Sequence, residues 1–192
     1  MIAIIEYNAG NSRSVYNALK RLNCEAVITS DKKVIENAEK VIFPGVGEAR
    51  SAMQFLRETG LDQTIKELKQ PVLGICLGLQ LLCSYSEEND TECLGIFQNR
   101  VSAFPSQEPV PHMGWNNFNQ LEGALFEGIE TEDDVYFVHS YYADLSKESV
   151  AVSEYMIRFS AALQKDNFYA TQFHPEKSGE VGAKILQNFI EL

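Results

Sequence analysis

Strand-length apolar runs alternate with helical patterns through the first 85 residues, and that alternation restricts what the chain can fold into more than any other feature. Residues 2–6 form one such run and lead through the turn-rich Asn8-Ala9-Gly10-Asn11 into a helical spacing at Val15, Ala18, Leu19 and Leu22. A second strand is expected over 25–29, a short helix over 32–38, and a third strand over 40–43 that ends in Pro44-Gly45-Val46-Gly47. Helices over 48–56 and 61–68, divided by Thr59-Gly60, precede a further apolar run at 72–75. A parallel neighbour requires a crossover long enough to return to the starting edge, so strands joined by helices predict an α/β protein with a parallel sheet.

The texture changes after residue 93. Short β-like pieces at 100–104 and 134–138 are separated by loops carrying Pro105, Pro109 and Pro111. Runs at 150–155, 159–164 and 168–173 read as successive strands, the acidic stretch 127–134 as a solvated loop, and 179–192 as an amphipathic helix. A chain of 192 residues, 45% hydrophobic and without a composition break, is expected to form one domain over 1–192. A net charge of -11 with no Lys/Arg cluster argues against nucleic acid and anionic membrane as partners. The N-terminus has no basic leader and no apolar run reaches membrane-spanning length, which points to the cytoplasm. Cys24, Cys76, Cys83 and Cys93 lack C-x-x-C spacing, so no metal site or dithiol motif is expected and the thiols are read as reduced.

One of these cysteines stands apart. Cys76 follows the apolar run 72–75 and precedes a helical pattern over 77–85, with Gly74 and Gly78 two positions away on either side. That is the spacing of a G-x-S-x-G nucleophile elbow with cysteine in place of serine. Most unpaired cysteines are merely small buried hydrophobes, so the stretch alone leaves both readings open. At a strand-to-helix turn the thiol would meet a helix N-terminus, whose partial positive charge favours a thiolate and then an oxyanion. Gly45 and Gly47 carry no P-loop continuation, which disfavours a nucleotide cofactor. They read instead as a plain turn or as a loop that presents N–H groups to a developing negative oxygen.

His174-Pro175-Glu176 could complete a site around Cys76. Proline biases the residue before it to extended geometry, and side chains two apart on an extended chain share a side, so Glu176 is expected beside His174. A thiol needs an imidazole to carry its proton, and the imidazole needs a carboxylate to hold its tautomer. His112 and His139 compete for the base, but neither has a carboxylate two or three residues away, and both are read as wall residues in aromatic-rich loops.

Gly74-Ile75-Cys76-Leu77-Gly78-Leu79-Gln80 together with Gln172-Phe173-His174-Pro175-Glu176 resembles the class I, triad-type glutamine amidotransferases. Within that family, Pro111-His112-Met113-Gly114-Trp115-Asn116 and His174-Pro175-Glu176-Lys177-Ser178-Gly179 are similar to the glutaminase subunits of imidazole glycerol phosphate synthases. The resemblance implies a three-layer sandwich with a mostly parallel central sheet, the flavodoxin-like fold of that family. It implies Cys76 as nucleophile, His174 as proton carrier and Glu176 as its orienter, with Leu77 and the loop Gly45, Val46, Gly47 as oxyanion hole. Gly47, Gln80, Ser140 and Tyr141 would bind L-glutamine, while Asn11, Trp115, Tyr136 and Lys177 would face a cyclase subunit in a heterodimer; no cofactor is implied. One departure is Met156, which interrupts a Tyr-Gly pairing often seen there.

Two other readings remain. The same amide hydrolysis could supply ammonia to a different synthase, such as a sugar-modifying amidotransferase, because the triad is blind to the acceptor. A regulatory subunit could also keep the fold without catalysis.

Overall fold

The computed structural model describes residues 1–192. The first half is built of β1 (Ile2–Ile5), α1 (Ser12–Arg21), β2 (Ala26–Thr29), α2 (Lys32–Asn37) and β3 (Lys40–Gly45). Helices α3 (Ala49–Thr59) and α4 (Leu61–Glu67) lead to β4 (Val72–Cys76) and α5 (Leu77–Leu82). Then come the short strands β5 (Tyr85–Ser86) and β6 (Thr91–Glu92), followed by β7 (Arg100–Ala103), β8 (His112–Asn116), β9 (Gln120–Leu121) and β10 (Val135–His139). The chain closes with β11 (Tyr141–Ala143), β12 (Ser149–Tyr155), β13 (Ile157–Lys165), β14 (Phe168–Thr171) and α6 (Gly179–Glu191).

The main sheet runs β2-β1-β3-β4-β14-β13-β11-β7-β5-β6, with β12 on β13 and β9 on β12. Its centre, β2-β1-β3-β4-β14, is parallel throughout. From β13 outward the pairing turns largely antiparallel. The central strands have a core on each side, and their apolar runs alternate between the two. Ala3 and Ile5 pack with α2, α3 and α4 on one face, while Ile2 and Ile4 pack with Val15 and Leu19 of α1 and Ile185, Leu186 and Phe189 of α6 on the other. Burial on both faces is why these strands read as unbroken apolar runs, and the three layers match the expectation.

Three local expectations are corrected. The helix expected over 77–85 stops at Leu82, because Cys83 turns extended and Ser84 donates its N–H to Asn99 O, passing the chain to the β5–β7 pairing. His112 is not in a loop: β8 pairs antiparallel with β10 as a separate two-stranded ribbon, Tyr136 opposite Trp115 and His139 opposite His112. Gly114, with its φ of 138°, hides that strand from a propensity reading. Residues 141–143 also form a strand, β11, bonded to β7 and β13. At the β12–β13 turn Met156 takes a φ of 59°, the left-handed region that glycine enters without a Cβ penalty.

Candidate active site

The carboxyl ends of β1, β3, β4 and β14 meet at one edge of the parallel sheet, where open α/β sheets place their sites. Cys76 ends β4 and caps α5, with φ 54° and ψ -109°. A side chain other than glycine in that region stores about 1–3 kcal/mol of strain, so the neighbours must fix it. Gly74 and Gly78 do so by close approach, their own φ values being ordinary. A Cβ on Gly78 would run into the carbonyl oxygen of Phe43, and one on Gly74 would lie 2.7 Å from Leu82 Cδ1. The glycines thus let α5 sit directly on β3 and β4, and the strain of the turn falls on the cysteine itself.

His174 and Glu176 reach this edge from the segment after β14. His174 is extended as Pro175 requires, but Glu176 lies in a single 3-10 turn, Pro175–Lys177, so the turn and not strand alternation brings the carboxylate back. His174 Nδ1 donates to Glu176 Oε1 at 2.8 Å. The same oxygen accepts from Asn11 Nδ2, a residue expected at a partner face and placed here on the carboxylate. The backbone of His174 is clamped to β10: its N–H donates to Tyr136 O, and its carbonyl accepts from Ser178 Oγ at 2.6 Å.

With the Nδ1 proton committed to Glu176, Nε2 is the ring nitrogen left to exchange a proton with the thiol, and it is buried without a hydrogen-bond partner. The Cys76 thiol donates instead to Val138 O at 3.8 Å. Burial lowers the pKa of His174, but hydrogen bonding and charge from Cys76 and from Glu176 outweigh it and raise the value to about 9. To pass its proton to the imidazole the thiol has to turn from Val138 O toward Nε2.

A cavity of about 290 Å³ opens over the sulfur. Val46, Gly47, Leu77, Gln80, Ser140 and Tyr141, all singled out from sequence, line it, whereas Gly45 is held in β3 behind them. No protein group accepts the backbone N–H of Val46 or Gly47. Glu88, Pro111, Val138 and His139 also line the cavity. Glu88 carried no signal, since it lies in the polar turn after β5 and is held by accepting Ala49 N–H at 2.8 Å.

Three further features surround the cavity. Tyr7, at the end of β1, buries a hydroxyl with no partner against Gly45. Burial, and then the charge of Cys76, push this phenol well above its ordinary pKa. Removing an unpaired buried hydroxyl removes a desolvation cost, so Tyr7→Phe is expected to raise stability by about 1 kcal/mol. A lower urea midpoint in Tyr7→Phe would contradict this.

The second feature is the buried pair His112 and His139. His139 Nδ1 meets Tyr141 O at 2.7 Å, an acceptor only, so Nδ1 carries the proton and Nε2 accepts from His112 Nδ1 at 2.9 Å. Both rings are thereby neutral and tautomerically fixed. Burial lowers the pKa of His112 to about 4 and, as the largest influence, that of His139 to about 3. Unfolded imidazoles titrate near 6.5, so the stability tied to this pair is complete above about 6.5 and is lost as pH falls toward 4 and 3. His174 has the opposite sign, its contribution being complete below about 6.5 and lost as pH rises toward 9. The urea midpoint is expected to drop between pH 6.5 and 4, and to drop less in the His112→Asn, His139→Asn double variant; equal slopes would contradict the assignment.

The third feature is the outer face of the ribbon. Met113 and Trp115 are 62% and 57% exposed, and Trp115 meets Tyr136 edge-on at 5.8 Å between ring centroids. Lys177 is exposed in the turn that carries Glu176.

Comparison with known proteins adds identity to this geometry. The profile of the family described as Glutamine amidotransferase class-I matches residues 3–192. The "Imidazole glycerol phosphate synthase subunit HisH" of Bacteroides fragilis (strain YCH46) is 60% identical, with 100% of this chain and 99% of that protein covered. The proteins of the same name from Bacteroides thetaiotaomicron and Haemophilus influenzae are 56% and 45% identical, covering 100% and 99% of this chain and 99% and 96% of their own lengths. A solved structure described as "Crystal structure of glutamine amidotransferase" superimposes with a TM-score of 0.77 at 20% identity, covering 100% of this chain and 98% of that one, which speaks to the fold.

Proposed function

The chain belongs to the class-I glutamine amidotransferase family, and from that premise we propose that it hydrolyses L-glutamine to L-glutamate and ammonia through a thioester on Cys76. It does so as the glutaminase subunit of an imidazole glycerol phosphate synthase in histidine biosynthesis, the name its relatives carry over their whole length. The observation that carries the chemistry is the buried His174–Glu176 pair, with a free Nε2, beside a cysteine held on a strained elbow.

Glutamine enters the cavity with its side-chain amide over the sulfur. Glu88, whose carboxylate lines the wall, suits its α-ammonium group, and Gln80, Ser140 and Tyr141 supply polar contacts. The Cys76 proton passes to His174 Nε2 as sulfur attacks the amide carbon, and Glu176 steadies the imidazolium. The N–H groups of Val46 or Gly47, and of Leu77 at the start of α5, stabilise the oxyanion; one such donor is worth about 3 kcal/mol of barrier. Collapse expels the amine, which takes the His174 proton and leaves as ammonia. Water then gives a proton to His174 and attacks the thioester, releasing glutamate and restoring the thiol.

Ammonia passes to a cyclase subunit, which uses it to make imidazole glycerol phosphate and aminoimidazole carboxamide ribotide. The ribbon face of exposed Met113 and Trp115 with half-buried Tyr136 is the docking surface we assign to this subunit in a cytoplasmic heterodimer, together with exposed Lys177. Asn11, half-buried and bonded to Glu176, is assigned to the same contact. Ammonia release from glutamine, measured with and without a histidine-pathway cyclase and its ribotide substrate, tests the reading. Stimulation by the cyclase is expected, and a cyclase without effect would reassign the acceptor.

A further inference from the structure

Gln172 follows β14 as a polar side chain with no exposure, and the reaction described above gives it no part. Its backbone N–H is fixed to Ala161 O at 2.8 Å, so the residue is anchored to β13. Its amide is bonded at both ends. Oε1 accepts from Gln80 Nε2 at 3.0 Å, and Nε2 donates to Cys76 Sγ at 3.8 Å.

The amide orientation follows from a chain of obligatory roles. Tyr141 O can only accept, so the Gln80 group 2.9 Å from it is the NH₂. That same NH₂ meets Gln172, which must therefore present its oxygen to Gln80. The remaining end of the Gln172 amide, its NH₂, is the one facing sulfur. Gln80 has then committed both N–H groups to the protein and keeps only Oε1 for a ligand. His174 Nε2 is an acceptor toward the thiol and a donor toward the thiolate only after it has taken the proton, so its role changes as the proton moves. An amide N–H is a donor in every protonation state of the site.

We propose that Gln172 is a further catalytic residue, whose side-chain N–H holds the Cys76 sulfur as the attacking thiolate and receives it again when the thioester is hydrolysed. No bond to Gln172 is made or broken; its N–H donates to sulfur bearing a proton, a negative charge or an acyl group in turn. The proposal rests on the glutaminase reading of the same site and adds to it a second donor that stays on the sulfur whichever partner holds the proton.

The other titratable groups around Cys76 are His174 and Glu176 after β14, Tyr7 at the end of β1, His139 at the end of β10 and Glu88 on the cavity wall. All are unchanged in Gln172→Met, which keeps the length of the side chain and cannot donate. They are equally unchanged in Gln172→Glu, which preserves the acceptor for Gln80 and turns a repelling carboxylate toward sulfur.

Both variants are compared with the wild type in the complex with the cyclase. Glutamine hydrolysis is one readout, and the rate of iodoacetamide labelling at Cys76, mapped by peptide mass against pH, is the other. A hydrogen bond to a charged group is worth enough to change kcat about tenfold, so Gln172→Met is expected to lose about that factor with KM within about twofold. Its labelling midpoint is expected to move up by about one pH unit, and that of Gln172→Glu further, through like-charge repulsion. A purely structural role would lower activity and leave the midpoint where it was, and unchanged midpoints in both variants would overturn the proposal. A wild-type complex without glutaminase activity would overturn the function proposed for the site instead, while the midpoints would still decide whether Gln172 serves the sulfur.

Discussion

Cys76→Ala is expected to lower glutamine-dependent turnover by more than about 10⁴-fold, because Cys76 is the one thiol lining the cavity. Synthesis from added ammonium salts by the same complex is expected to stay within about twofold of wild type, since ammonia then needs neither thioester nor imidazole. The two assays read different halves of the proposed complex. The substitution removes one sulfur whose protein contacts are two 3.8 Å hydrogen bonds, and alanine keeps the same backbone demand at φ 54°. Fold and ribbon surface are thus left as they are. Surviving glutaminase activity would refute the role of Cys76. Loss of both activities would show that sulfur holds the site or the interface together as well as reacting.

Much of this site was legible in the sequence because its residues lie in two short runs whose local geometry is constrained by their own neighbours. Gly74, Cys76 and Gly78 mark a strand-to-helix turn, and Pro175 fixes the direction in which His174 leaves β14. The parallel strands were legible for a related reason, since burial on both faces leaves runs such as Ile2–Ile5 with no polar interruption. What escaped are features made by pairing at a distance. Gln172 and Cys76 are 96 residues apart, and His112 and His139 are 27 apart. Neither bond has a local signature. Glu88 reaches the cavity only because β5 pairs with β7 and sets the turn after it against α3. The strand β8 was hidden by Pro111 and Gly114, residues that lower strand propensity but are tolerated in a two-stranded ribbon with open edges.

Gly78→Ala tests the architecture beneath the chemistry and is expected to be strongly destabilising. The added carbon would overlap the carbonyl oxygen of Phe43. Phe43 belongs to β3, which is bonded to β1 on one side and to β4 on the other, with Phe43 opposite Gly74, so the oxygen has no room to retreat. The helix must lift instead, and α5 carries Leu77, Leu79, Leu81 and Leu82 into the core, all of which would lose contact together. Overpacking of this kind costs about 3 kcal/mol or more, which for a domain of this size lowers Tm by about 6–12 °C. Lifting α5 also pulls Cys76 away from His174 and Leu77 from the oxyanion, so glutamine hydrolysis should fall even in the fraction that stays folded. Gly10→Ala is the control. A Cβ there meets nothing closer than 3.8 Å, so thermal unfolding should move by about 1 °C or less. Equal melting temperatures for the two variants would mean that α5 can slide on β3 without penalty. The strain stored at Cys76 would then need a support other than the close seat that Gly78 provides.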